Sequence, residues 1–396
     1  MQVRTEPVKS SPWRVVAAFG IVAAGFSFVL GVYVFGLSEK SVSGRDYIEY
    51  WAAGRQLVHG GNPYDVAAIL QVEREAGLDG DEPKVTLSPP IILLLVLPLG
   101  FVGAKTGLIL WLVALVLCLL VSIWLLWRMH GSPPNGYQWI GMAFAPTVAC
   151  LMAAQISIFL LLGVVLFLYW QRSWPVLAGL ALLPCVLKPH LFLPFAVVLL
   201  LWVASKRAYR VLAGFSAAFT ASCVLTLCLD RHSWSEYAVL SRSNNILHLF
   251  VPTLSAYLRF VIDQDAVWLQ FLPAATSCVW AAWYFSTRRV RWNWIDQGLL
   301  VLLVSVACAP YAFFYDEAVL LPAVLVGLYR AADKQRSLLP LGLISAIALT
   351  EACAEVTIIA RYYLWTTPAW LAWYLYASWS RSAYVEEARG GQAILD

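Results

Sequence analysis

The residues whose types and spacing suit chemistry crowd into positions 37–88. This stretch carries Glu39, Asp46, Glu49, Asp65, Glu73, Glu75, Asp79, Asp81 and Glu82, nine of the chain's 23 acidic residues. Within it Arg45-Asp46-Tyr47-Ile48-Glu49-Tyr50-Trp51-Ala52-Ala53-Gly54-Arg55 reads as a short helix, Gly60-Gly61-Asn62-Pro63-Tyr64-Asp65 as a turn, and Ser88-Pro89-Pro90 as the close. Helical spacing places Asp46, Glu49, Tyr50 and Ala53 on one face, so two carboxylates and a phenol could line one small cavity as an acid/base cluster. A local reading competes. Ser43 as N-cap with Asp46 three residues on resembles a capping box, and an acid in the first turn suits the helix dipole. Spacing by itself favours the local reading.

Three other polar sites interrupt apolar sequence. Lys188-Pro189-His190 breaks a long hydrophobic run. A lysine there costs about 2.5–3.5 kcal/mol on insertion scales, so it snorkels, pairs or serves a site. The functional reading is a phosphate contact. Residues 230–265 mix Asp230, Arg231, His232, Arg242, Asn244, Asn245, His248, Arg259, Asp263 and Asp265 with aromatics and leucines. Most read as solvated loop residues, with Arg242 and Arg259 as candidate partners of an anionic head group. Tyr315-Asp316-Glu317 opens a hydrophobic helix, where Glu317 is expected to act as a cap.

The elements that must position these groups follow from composition. The chain has 396 residues, 61% hydrophobic and 13% charged, against about 45–50% and about 25% in a soluble domain. This is the composition of an all-α integral membrane protein. A span needs about 20 apolar residues, and twelve are expected near 15–36, 106–127, 137–153, 155–171, 175–187, 190–205, 209–229, 266–287, 294–311, 315–330, 337–359 and 362–378. The first exceeds a signal peptide's apolar core and shows no clear cleavage site, so it reads as a retained span. Basic clusters at 206–210, 288–291, 330–336 and 381–389, with the N-terminus, set the cytoplasmic side.

Counting 89–104 as a span would put every later basic cluster on the wrong side. It begins with Pro89-Pro90 and contains Pro98, so a re-entrant or surface-lying helix is expected. Residues 37–105, 230–265 and the turn at 311–316 then face outward. No linker divides the chain, and one domain over 1–396 is expected. The eight cysteines lie in apolar runs without ligand spacing, as small buried hydrophobes. No cofactor or metal site is indicated, and no basic patch points to nucleic acid.

The order of these features resembles glycosyltransferase family 87, integral-membrane GT-C enzymes that include polyprenol-phosphate-mannose-dependent mannosyltransferases. The pieces are Asp46 with Tyr50, Ala52 and Ala53; Gly60 with Pro63-Tyr64; Ser88-Pro89-Pro90 with Leu97-Pro98-Leu99; Gln155 opening an apolar run; Ala178-Gly179 with Leu187-Lys188-Pro189; and Asn244, Ser255 and Arg259. They cover most of 40–330. The resemblance implies a GT-C bundle in the bacterial cytoplasmic membrane, its site facing outward. A sugar such as mannose or arabinose would pass from a polyprenyl-phosphate donor to a lipid-linked or envelope glycan. Asp46 becomes the expected base, reversing the odds set by spacing. Glu49, Tyr50, Tyr64, Lys188, Arg242, Asn245, Arg259, Tyr315 and Asp316 become expected substrate contacts.

Two positions depart from the family pattern. Ser88 stands where a tyrosine usually precedes Pro-Pro, and Tyr315-Asp316 stand near where a histidine often follows the ninth span. They bear on the acceptor and the sugar. A carboxylate with a reference pKa near 3.9 can accept a hydroxyl proton late in a concerted transfer, and one base without a carboxylate nucleophile implies inversion. The competing reading is a transporter or flippase of lipid-linked saccharide, kept open by Glu351 and Glu355 one helical turn apart in an apolar run. A silent subunit of an envelope-assembly complex is the third.

Overall fold

The structure, a computed structural model, describes residues 39–243, 249–354 and 361–379. The expected first span, Asn245 and Glu355 lie outside the described residues. No β-strand occurs among them. Three short helices come first: α1 (Glu39–Gly44), α2 (Tyr47–Val58) and α3 (Val66–Glu75). Then α4 (Ile92–Val96) runs into a 3₁₀ turn, Leu97–Phe101, before the 26-residue α5 (Ala104–Met129). The bundle continues through α6 (Ala145–Ala153), α7 (Ser157–Trp170), α8 (Pro175–Ala181), α9 (Leu193–Lys206) and α10 (Tyr209–Leu229). Two polar-segment helices follow, α11 (Ser233–Ser243) and α12 (Leu254–Ile262). It closes with α13 (Leu272–Arg288), α14 (Leu299–Ala307), α15 (Leu321–Asp333), α16 (Leu339–Cys353) and α17 (Thr366–Ser378).

Helix occupies each expected span within the described residues, wholly or in part, but its continuity differs from expectation. Only three helices there are long and apolar enough to cross a membrane: Ala104–Met129, Pro189–Lys206 and Tyr209–Leu229. Proline explains part of the difference. Pro184, Pro273 and Pro322 each sit in the first turn of a helical piece. Lacking an N–H and clashing with the preceding turn, they cut apolar runs into 3₁₀ and α pieces. Ile92–Phe101, inside the proposed re-entrant stretch, is ten residues. At 1.5 Å per residue it reaches roughly 15 Å, half a hydrocarbon core.

The exposed face of α5 is apolar. Leu110, Val113, Leu117, Val121 and Trp124 are all exposed at three- and four-residue spacing, a stripe that suits lipid contact. Helices α8 and α10 cross closely because Gly179 meets the Val211 carbonyl and Gly214 the Val176 carbonyl, where any Cβ would collide with backbone.

The basic segments converge. Lys206 Nζ donates to the Val290 carbonyl at 3.3 Å, joining the 206–210 and 288–291 clusters. Arg330 pairs with Asp296, and Lys334 Nζ donates to the carbonyls of Ala377, Ser378 and Trp379 at the end of α17.

Candidate active site

Helix α2 is fixed along one side, which frees the other. Residues four apart, Tyr47, Trp51 and Arg55, donate to the carbonyls of Ala104, Val102 and Gly100 at 3.1, 2.8 and 3.0 Å. Gly54 faces the Val96 carbonyl and Gly100 the Gly54 carbonyl, an approach closed to any side chain. Each hydrogen bond contributes about 0.5–1.5 kcal/mol net. The opposite face, one helical step round, presents Asp46, Glu49 and Tyr50 to the bundle.

These three meet Gln155. Its Nε2 donates to Asp46 Oδ2 at 3.1 Å and lies 3.4 Å from Glu49 Oε1. Its Oε1 accepts from the Tyr50 hydroxyl at 2.7 Å and from Lys188 Nζ at 3.3 Å. Gln155 is placed by a break between two helices: Ala154, at φ 54°, ends α6 in the left-handed region, and the Gln155 N–H returns to the Cys150 carbonyl at 2.9 Å. Tyr50 stacks on Trp111 at 5.5 Å, and Trp111 Nε1 donates to the Ala154 carbonyl at 2.9 Å. One side chain thus ties the loop helix to the bundle over a sequence separation of more than a hundred residues.

The second half of the cluster is an ion pair. Lys188 Nζ lies 2.7 Å from Asp316 Oδ1, with side chains 12% and 1% exposed. The same Asp316 oxygen accepts from Ser157 Oγ at 2.6 Å, and Oδ2 accepts from the Phe313 N–H at 3.0 Å. Asp316 therefore both closes the turn before the 3₁₀ helix Phe314–Leu320 and holds Lys188. Lys188 Nζ sits 4.9 Å from the centre of the Tyr315 ring, the geometry of a cation–π contact.

Two local expectations are corrected. Asp46 is the N-cap residue of α2 but makes no side-chain capping bond, and Ser43 Oγ donates instead to the Gly77 carbonyl at 2.9 Å. The Asp46 carboxylate is drawn away by Gln155 and by Lys84 Nζ at 3.7 Å. Glu317 does not cap its helix. It is buried and accepts from Thr366 Oγ1, Thr367 Oγ1 and Trp370 Nε1 at 2.6, 2.9 and 3.0 Å, anchoring α17. Glu351, the other half of the transporter motif, accepts from Trp365 Nε1 at 3.3 Å.

The electrostatics separate the two acids of α2. Burial first, and the neighbouring Asp46 second, push the Glu49 carboxyl up to about 8, so it is mostly protonated near pH 7. Burial also raises the Tyr50 phenol well above its usual value. Asp46, its side chain 29% exposed and 3.7 Å from Lys84, is the open carboxylate of the pair. Among the described residues no group of three or more His, Cys, Asp or Glu could hold a metal ion.

The structure thus brings Asp46, Glu49, Tyr50, Lys188, Tyr315 and Asp316 together. Others lie apart from this cluster. Arg259 is buried, donating from Nε to the Gln264 carbonyl at 2.7 Å and from Nη1 to Gln270 Oε1 at 3.0 Å. Arg242 is exposed at the end of α11. Tyr64 is buried 5.6 Å from Tyr237, ring to ring. Sequence reasoning gave Gln155 only a place in a pattern, and it missed Ser157 and Lys84. The available signal was the isolation of Gln155 and Ser157 as polar residues between apolar helices.

Among the described residues, helices suited to lipid and a buried carboxylate–lysine pair together have the makings of a membrane enzyme. The model of glycosyltransferase family 87 matches residues 87–328, more than half of the sequence, and the chain belongs to that family. It is accordingly a glycosyltransferase of the membrane. The matched range contains Gln155, Ser157, Lys188 and Asp316, while Asp46 and Glu49 precede it. No curated protein and no solved structure matches the chain.

Proposed function

We propose that this glycosyltransferase is an inverting GT-C enzyme of about twelve spans that moves a sugar from a polyprenyl-phosphate donor to a lipid-linked or envelope glycan acceptor. Its site would face the outside of the bacterial cytoplasmic membrane. The observation that carries the reading is the pairing of an open carboxylate, Asp46, with a lysine, Lys188, across one amide, Gln155. Asp46 accepts the proton of the acceptor hydroxyl as that oxygen attacks the anomeric carbon. The bond from that carbon to the phosphate oxygen breaks with it, its electron pair leaving on the phosphate. Lys188 has three N–H donors. Two go to Asp316 and Gln155, which leaves one for the departing phosphate, where charge develops. Gln155 holds the two ends in register.

Glu49, neutral near pH 7, adds no second negative charge beside the base. The donor is already activated by its phosphate, so positioning and charge neutralisation are the protein's main tasks. The transporter alternative needs polar groups facing both sides of the membrane. The polar cluster around Gln155 takes in Lys188 at the start of the apolar helix Pro189–Lys206 and no residue from that helix's middle, which favours the enzyme. Transfer of labelled sugar by the purified protein is the test of this reading.

Sidedness has its own support. Lys188 precedes and Lys206 ends the 18-residue apolar helix Pro189–Lys206, so the site and the basic face lie roughly 27 Å apart at 1.5 Å per residue. That matches a hydrocarbon core of about 30 Å. In a cysteine-free background, Glu75→Cys and Ser235→Cys should label with an impermeant maleimide in intact cells. Arg207→Cys and Val290→Cys should label only after permeabilisation. The reverse pattern would place the site in the cytoplasm.

A further inference from the structure

A second polar cluster lies where α11 packs against the turn at 60–65, through the Tyr64 and Tyr237 rings. The Tyr64 side chain is buried, 3% exposed, yet its hydroxyl has no hydrogen-bond partner among the described residues. Asp230 and Glu236 lie near enough to act on it electrostatically, and the two acids hydrogen-bond to each other. Asp230 Oδ1 accepts the His232 N–H at 2.8 Å. Asp230 Oδ2 and Glu236 Oε2 are enclosed and receive no donor from any other group among the described residues. The Tyr64 phenol is thus an unmatched buried polar group, and such an unmade bond costs on the order of 1–3 kcal/mol.

The cluster connects to the active site through aromatic rings. Tyr64 lies against Tyr237 at 5.6 Å, Tyr311 lies within electrostatic range of both Tyr237 and Asp316, and the His190 ring stacks on Tyr311 at 3.7 Å. The row ends at the Lys188–Asp316 pair. Its two ends differ in charge. Lys188 suits a phosphate, whereas the acid pair Asp230–Glu236 offers it no cation.

We propose that Tyr64, Asp230 and Glu236 form an acceptor subsite that takes the hydroxyl groups of an uncharged sugar, with the Tyr237–Tyr311–His190 row leading from it to the reacting centre. This rests on the transferase reading above and assigns the acceptor side of it. A carboxylate oxygen accepts from a sugar hydroxyl, a phenol both donates and accepts, and aromatic faces pack on the C–H faces of pyranose or furanose rings. Burial first, and the neighbouring Asp230 second, raise the Glu236 carboxyl above the usual carboxylate range, so the two acids hold a proton between them that a sugar hydroxyl can exchange with.

The test exploits the unpartnered phenol. Tyr64→Phe removes an oxygen that bonds to nothing within the described protein, so thermal stability should hold or rise. Binding of uncharged methyl glycosides (mannoside, glucoside, galactoside and arabinofuranoside), followed by ligand-observed NMR on the detergent-purified full chain, should weaken about tenfold for whichever sugar binds, the loss of one good hydrogen bond. Glu236→Gln should weaken the same sugar while the Kd for a polyprenyl-phosphate sugar stays within about twofold of wild type. Unchanged glycoside affinity in Tyr64→Phe, no binding of any glycoside by wild type, or a preference for Ca²⁺ or a cationic amino sugar would overturn the assignment. Glycoside binding is read without turnover, so loss of the transferase reading and loss of this subsite give different results.

Discussion

Asp46→Asn should lose about 10²–10⁴-fold in turnover while folded protein and donor binding persist, the range expected when a general base is removed. The side chain makes no capping bond, so helix α2 loses no cap by the change. The amide oxygen of the substituted side chain can still accept from Gln155 Nε2. The capacity to take a proton disappears, together with the partly exposed ion pair to Lys84, which is worth at most about 1 kcal/mol. Glu49→Gln is the matched comparison on the same helix face. Glu49 is pushed up to about 8, so glutamine copies its neutral form near pH 7 and turnover should change far less. Stability supplies the sign. Between the ordinary carboxylate range and about 8, the folded protein binds a proton that the unfolded chain has released, so wild type loses stability as pH rises through that window. The melting temperature of Glu49→Gln should therefore gain on wild type from pH 5 to pH 8. Near-wild-type turnover in Asp46→Asn with a large loss in Glu49→Gln would exchange the two roles.

Lys188→Ala should harm the protein twice. It removes the proposed phosphate contact, and it strands Asp316, which is 1% exposed, beside Ser157. Removing one partner of a buried ion pair costs about 3–5 kcal/mol, so much of the protein should be lost from the membrane. The double variant Lys188→Met/Asp316→Asn separates the effects. Neither position then carries charge, and the asparagine amide keeps an oxygen for the Phe313 N–H, so abundance should recover most of the way. Donor use should not recover, with the donor KM at least about tenfold above wild type, the worth of one charge-assisted contact. A double variant with wild-type donor KM would make the pair purely structural.

The legible part of the molecule was the part written locally. Helical period placed Asp46, Glu49 and Tyr50 on one face, and the face is fixed by Tyr47, Trp51 and Arg55 bonding to successive carbonyls on its other side. Apolar runs located the helices. Their continuity was misjudged because hydropathy does not register that Pro184, Pro273 and Pro322 restart a helix within an apolar run. The capping roles expected for Ser43, Asp46 and Glu317 failed for one shared reason. Each side chain found a distant partner, at Gly77, Gln155 and Thr366, and local spacing carries no information about such partners. The pairing of Lys188 with Asp316 is of the same kind, each visible as an isolated polar residue but not as half of a pair.

The most direct measurement is transfer by the purified wild-type protein from a panel of radiolabelled donors: polyprenyl-phosphate mannose, glucose and arabinose, beside the corresponding nucleotide sugars. Product should form from at least one polyprenyl-phosphate sugar, with the anomeric configuration of the transferred sugar inverted relative to the donor, and should fall by about 10²–10⁴-fold in Asp46→Asn. Transfer from a nucleotide sugar alone, or product that retains the donor's configuration, would contradict a lipid-phosphate enzyme working through a single base.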